Sequence, residues 1–144
     1  MAAHLVRRPG DFDVIVTENM FGDILSDLTG ELAGSLGLAP SINASETKAM
    51  AQAAHGSAPD IEGKDIANPI GIMHSTVMLL EWLSMKHKDV RLKDAARLME
   101  KSIDTTVRNN IVTSDLGGTA STSSFAEAVE NEVRKSEQTI IGRS

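Results

Sequence analysis

The segment FDVIVT, Phe12 to Thr17, is a short β-branched run bounded by Gly10 and Asn19, and it reads as a fully buried strand. Around it stand several long amphipathic stretches and at most one more strand. That imbalance constrains the fold more than anything else in the sequence. A strand of this composition belongs to an α/β sheet covered on both faces, and a lone strand leaves its edges unpaired. The 144 residues are therefore expected to be part of a larger α/β arrangement whose sheet this chain does not complete.

The helical pattern is clear. Ile24, Leu25, Leu28, Leu32 and Leu36 form an apolar stripe that predicts a helix from about Met20 to Leu36. Gly30, Gly34 and Gly37 weaken it and imply close packing against another element. GLAPSINASET reads as a loop, and Ala49 to Ala54 as a short strand or an apolar helical turn. Asn68-Pro69 predicts a helix start, with Asn as cap and Pro at the first position. That helix should run to about Met85, with Ile70, Met73, Val77, Leu80 and Leu83 on one face. Another is expected from about Leu92 to Asn109, carrying Ala95, Ala96, Met99, Ile103 and Val107. VTSDLGGTASTSS reads as a second small-residue loop. Ser124-x-x-Glu127 is a capping-box pattern ahead of a last helix, Phe125 to about Lys135.

Composition narrows the function classes. Net charge is −6 with no basic run, which gives a nucleic-acid partner no electrostatic footing. Zero cysteines exclude disulfides and thiolate metal sites and fit a reducing, cytoplasmic setting. No stretch approaches the roughly 20 apolar residues of a membrane span, and Arg7 and Arg8 interrupt any signal-peptide core. Phe12, Phe21, Phe125 and Trp82 are the only aromatic residues, so the core must be aliphatic.

Two stretches carry chemistry. Asp23 and Asp27 stand at i and i+4 of a predicted helix, so their Cβ atoms are about 5–6 Å apart. Such a pair is either a solvated helix edge or two oxygen ligands for Mg²⁺ or Mn²⁺. In HGSAPDIEGKDIAN, Gly56 and Ser57 let backbone approach a ligand, Pro59 stiffens the turn, and Asp60 would accept from a vicinal diol and repel a phosphate. Asn68 can pair with an adenine edge while capping its helix; the competing reading is a surface loop that satisfies its own backbone. His4, His74 and His87 are isolated, and the cluster Thr119 to Ser124 lacks a base. No G-x-G-x-x-G, G-x-x-x-x-G-K-[ST], G-x-S-x-G or H-E-x-x-H occurs.

NMFGDILSDL, GSLGLAPSIN and HGSAPDIEGKDIANP, in this order, together with DLGGTASTSSFAEAV, resemble the β-decarboxylating dehydrogenases of isocitrate, 3-isopropylmalate, homoisocitrate and tartrate. The resemblance implies the C-terminal part of their α/β fold. Residues 1–34 would end the smaller, dimer-forming domain, and residues 35–144 would belong to the larger, NAD-binding one. It implies that Asp23 and Asp27 ligate Mg²⁺ or Mn²⁺ in a largely buried interdomain cleft. The cation binds the 2-hydroxyl and carboxylate of a small 2-hydroxy acid and polarises the carbonyl that forms, so that CO₂ can leave. It further implies that His55, Gly56, Ser57, Ala58, Pro59, Asp60, Ile61 and Asn68 hold the adenosine half of the cofactor. Relatives using NADP carry a basic residue where Asp60 stands, so NAD is expected.

Members of this family are more than twice as long. Their N-terminal half supplies the substrate-gripping arginines, a tyrosine, a lysine and a further metal-binding aspartate. The present sequence holds no tyrosine, and Lys48, Lys64, Lys86 and Lys88 lie in nothing resembling the lysine's segment. Met1 matches an internal position of the family. The expectation is a C-terminal fragment with no catalytic residue of its own, inactive alone, and joined to a second copy or a complementary N-terminal chain. The alternative is a non-catalytic nucleotide- or metal-binding or interaction module. Asp60 within HGSAPDI leans the substrate reading toward 3-isopropylmalate or tartrate.

Overall fold

The structure, a computed structural model, describes the backbone of residues 1–141 and the side chains of residues 1–136. In chain order these form α1 Ala2–Arg7, α2 Asn19–Ala33, β1 Pro40–Ala44, β2 Ala49–Ala53, α3 Ile70–His87, α4 Val90–Arg108 and α5 Thr122–Ile141. Short 3-10 turns stand at Pro9–Asp11, Leu36–Leu38, Pro59–Ile61 and Ser114–Leu116. The class is α/β, with few strands and several packed helices.

The strand expected at Phe12 to Thr17 does not form. Residues 12–18 are irregular backbone without ladder partners, and Val14 and Val16 are 82% and 91% exposed. Their composition suits a covered sheet, but among the described residues no strand pairs with them. Helix α2 forms, but it ends at Ala33 rather than near Leu36, stopped by Gly34, whose φ of +126° an L side chain rarely adopts, and Leu36 falls in the following 3-10 turn. Its apolar stripe is only partly covered, with Ile24 59% and Leu32 47% exposed.

The stretch GLAPSINASET, expected to be loop, instead contains β1. It pairs antiparallel with β2, Ile42 opposite Ala51. Pro40 at the strand start and the polar Ser41 and Asn43 hid the pattern; a proline is tolerated there because that position need not donate to the ladder. Ser45 closes the turn by accepting the Lys48 N–H at 3.0 Å. A two-stranded hairpin is marginal by itself, and α3 packs along it. The fully buried Ser75 hydroxyl of α3 accepts the Ser41 N–H at 3.2 Å and lies 2.7 Å from the Gln52 carbonyl oxygen.

The three long helices build the core. Ile70, Ile103, Phe125 and Val129 are buried together, with Leu38, Met73, Met99, Val107 and Leu116 against them. Other helix boundaries also differ from expectation, and α5 runs on to Ile141 rather than ending near Lys135. Helix α4 starts at Val90 because Asp89 accepts the Arg91 N–H at 2.9 Å, and Ala95 of the expected stripe faces solvent. Helix α5 starts at Thr122, ahead of the Ser124-x-x-Glu127 pattern, because the hydroxyl of Ser121 accepts the Ser124 N–H at 3.1 Å and Asp65 accepts the Ser123 N–H at 3.0 Å. The cap is thus built partly from a distant loop.

Candidate functional site

A cavity of about 900 Å³ lies where the loop after β2 meets the turns before α3 and α5. His55, Gly56, Ser57, Ala58, Ile61 and Asn68 line it, as do Ser35, Gly37, Asp65, Ser114, Asp115 and Thr122. Its size lies within the roughly 300–1,000 Å³ of small-molecule sites. Pro59 and Asp60 do not line it. Asp60 is exposed, in the 3-10 turn Pro59–Ile61 next to the wall formed by Ala58 and Ile61.

Each wall has a local cause. Ala58 is held in the left-handed region at φ +43°, unusual for a residue with a Cβ, and Pro59 then fixes the following turn. His55 Nδ1 lies 2.9 Å from the Gly56 carbonyl oxygen, which leaves the imidazole exposed at the mouth. The buried Asn68 caps α3, its Oδ1 accepting the Ile70 N–H at 2.9 Å. The cap expected from the sequence is therefore present, and it uses one of the two lone pairs of the oxygen that could meet an adenine edge. Gly37 comes so close that a Cβ there would sit 2.9 Å from Asn68 Cβ.

Asp115, a lining residue that stays partly open to solvent, gathers three side-chain partners. Its Oδ2 accepts from Ser35 Oγ at 2.5 Å and from Asn68 Nδ2 at 2.9 Å, and its Oδ1 accepts from Thr113 Oγ1 at 2.6 Å. Burial works against its charge, but the hydrogen bonds from Ser35, Thr113 and Asn68 outweigh that and hold its carboxyl below the usual carboxylate range. Asp65 borders the same cavity. Hydrogen bonds from Ser123 and then Ser121 hold its carboxyl below that range too. Ser35, Asp65, Asp115 and Thr122 fall within GSLGLAPSIN, HGSAPDIEGKDIANP and DLGGTASTSSFAEAV, but nothing in their spacing marks them as site residues; tertiary contact brings them together.

Asp23 and Asp27 are separate from this cavity. Both are exposed on one face of α2, and Asn19 Nδ2 donates to Asp23 Oδ2 at 3.1 Å. Among the described residues there is no group of three His, Cys, Asp or Glu able to enclose a metal ion. The pair thus lies on an open helix edge in this chain, not in the largely buried cleft expected. Two hard carboxylates one helical turn apart are of the donor type that suits Mg²⁺ or Mn²⁺.

The model of the isocitrate/isopropylmalate dehydrogenase family matches residues 1–129. The chain belongs to this family. It is 50% identical over 128 residues to the isocitrate/homoisocitrate dehydrogenase of Thermus thermophilus, covering 89% of this chain and 36% of that one. It is 45% identical over 143 residues to the 3-isopropylmalate dehydrogenase of Bacillus anthracis, covering 99% of this chain and 38% of the relative. The fold matches a crystal structure of isocitrate dehydrogenase from Methylococcus capsulatus with a TM-score of 0.83 and 40% identity, over 92% of this chain and 38% of that one. The chain thus spans little more than a third of the length of these relatives. Family membership covers both acidic helix and cavity, since each falls within the matched residues. Among the described residues no helix is long and apolar enough to cross a membrane.

Proposed function

We propose that this chain forms the nucleotide-binding side, and part of the metal site, of an NAD-dependent oxidative decarboxylase of a small 2-hydroxy acid. The observation that carries this reading is the cavity that gathers His55, Gly56, Ser57, Ala58, Ile61 and Asn68 around one space. The cavity takes the adenosine half of NAD, and Asp60, beside its wall, accepts from the ribose diol. A carboxylate at Asp60 repels a phosphate in that place, which favours NAD over NADP. Asp23 and Asp27 supply two oxygens to Mg²⁺ or Mn²⁺. When bound, the cation polarises the keto group that hydride loss creates, and NAD receives the hydride.

The residues present bind and orient. No tyrosine occurs, and the base, acid and carboxylate clamp that the chemistry needs come from residues outside these 144. Residues 1–34 belong to a smaller, dimer-forming domain and residues 35–144 to a larger, nucleotide-binding one. The exposed Val14, Val16 and Ile24 are then covered by a second copy or a complementary chain. A cytoplasmic setting and a 3-isopropylmalate- or tartrate-like substrate complete the reading.

The test is reconstitution. The chain is mixed with the remaining two thirds of a family dehydrogenase, Mn²⁺ and NAD, and each 2-hydroxy acid is supplied in turn. NADH formation that vanishes with Asp23→Asn is the expected result. Stable association without NADH for any of the acids counts against the enzymatic role.

A further inference from the structure

We propose that Asp115 is the positioning residue of the nucleotide cavity, locking the Asn68 carboxamide in one orientation and tying it to the Ser35 turn beyond the acidic helix α2. This inference rests on the reading of the cavity as an adenosine site. The geometry leaves Asn68 a single arrangement. Its Oδ1 is taken by the Ile70 N–H at 2.9 Å, and its Nδ2 donates to Asp115 Oδ2 at 2.9 Å. A flipped amide would lose both bonds and set its NH₂ against a backbone N–H and its oxygen against a carboxylate. Gly37 closes the remaining side, its missing Cβ occupying a position 2.9 Å from Asn68 Cβ.

The same Asp115 oxygen accepts from Ser35 Oγ at 2.5 Å, and Ser35 Oγ in turn accepts the Gly37 N–H at 3.1 Å. One carboxylate oxygen therefore links the segment leaving α2 with the cap of α3, and Thr113 holds the other oxygen at 2.6 Å. What remains for a ligand is one Nδ2 hydrogen and the second Oδ1 lone pair of Asn68, both oriented by the bond to Asp115. Asp115 touches no reacting atom; it acts through Asn68.

The test compares Asp115→Ala with Asp115→Asn. The asparagine keeps an oxygen facing Asn68 and Ser35, while Thr113, whose hydroxyl donates or accepts, takes the new NH₂. In the unliganded chain, hydrogen exchange of the Asn68 side-chain amide and the Ile70 amide should speed up about tenfold in Asp115→Ala and stay near wild type in Asp115→Asn. Affinity for adenosine 5′-monophosphate, measured by calorimetry, should fall about tenfold in the first variant and within about twofold in the second, as expected for loss of one positioned polar contact.

Unchanged exchange in a folded Asp115→Ala chain overturns the inference whatever the nucleotide result. A wild-type chain that shows the exchange pattern but binds neither the monophosphate nor NAD contradicts the adenosine reading, while the positioning of Asn68 stands on the exchange data. Should Asp115→Ala fail to fold, Ser35→Ala carries the test. Faster Asn68 exchange is expected there, and unchanged exchange overturns the tie.

Discussion

The carboxylate of Asp65 accepts the Ser123 backbone N–H at 3.0 Å, joining residues 58 apart in the chain, and it also takes the Ser123 hydroxyl. The Asp65 carbonyl oxygen accepts the Thr122 N–H at 2.9 Å. One loop residue thus satisfies two of the orphan donors at the start of α5, which pins one wall of the cavity to the helix. Asp65 does so at φ +55°, a conformation Asn and Asp tolerate better than most residues. Asp65→Ala should therefore lower the melting temperature and loosen the loop. Asp65→Asn should do less, because it keeps an acceptor and suits the backbone. Thermal unfolding followed by circular dichroism ranks the three chains.

Acid should weaken the fold through the two cavity carboxyls as well as through Asp89, whose carboxyl the Arg91 hydrogen bonds hold low. Asp65 is held low by hydrogen bonds from Ser123 and Ser121, and Asp115 by those from Ser35, Thr113 and Asn68 against the opposing effect of burial. A lowered carboxyl contributes stability that is fully present above the ordinary carboxylate range and is lost as the pH falls through the lowered value. Urea midpoints at decreasing pH should therefore fall below that range. The double variant Asp65→Asn, Asp115→Asn should show a shallower fall; an unchanged slope would assign the acid sensitivity to other groups.

Phe125 has 0% exposure at the centre of the core. Phe125→Ala should cost about 3–5 kcal/mol, a large share of the stability of a domain this size. Urea unfolding measures it, and a loss below about 1 kcal/mol would show that α5 does not seal the core as described.

Lys88 ends α3 in the left-handed conformation, φ +53°, while the Asp89 N–H returns to the Ser84 carbonyl at 3.2 Å. Glycine suits that position. Lys88→Gly should raise stability by about 1 kcal/mol, far from the cavity, and leave nucleotide affinity unchanged.

The extended segment before α2 presents Val14 and Val16 at 82% and 91% exposure. Replacing both by threonine should change folding stability by less than about 0.5 kcal/mol yet reduce self-association, which sedimentation velocity over a concentration series reads directly. Equal association in wild type and variant would place the contact elsewhere.

Helix existence was legible in the sequence because apolar spacing and caps such as Asn68 are local. The strand content was not. FDVIVT carries strand composition without a neighbour to pair with, and PSINA carries loop composition but pairs with AMAQA under the cover of α3. In both places a tertiary partner, present or absent, overrides local preference. The cavity shows the same division. His55 to Ala58, Ile61 and Asn68 were readable from one contiguous motif and do converge. Asp65 lies within that same motif, while Ser35, Asp115 and Thr122 lie in two other segments, and their meeting depends on how α2, α3 and α5 pack. The acidic pair was readable as a pair, but its expected enclosure does not form among the described residues, because enclosure depends on packing that a local i, i+4 spacing does not encode.

Titration of NAD into the purified chain by calorimetry, with circular dichroism confirming its helices, tests the central claim most directly. The account predicts saturable binding at one site per chain, lost or shifted toward NADP by Asp60→Lys. A folded chain that releases no heat with NAD, or that binds NAD equally well after Asp60→Lys, would contradict it.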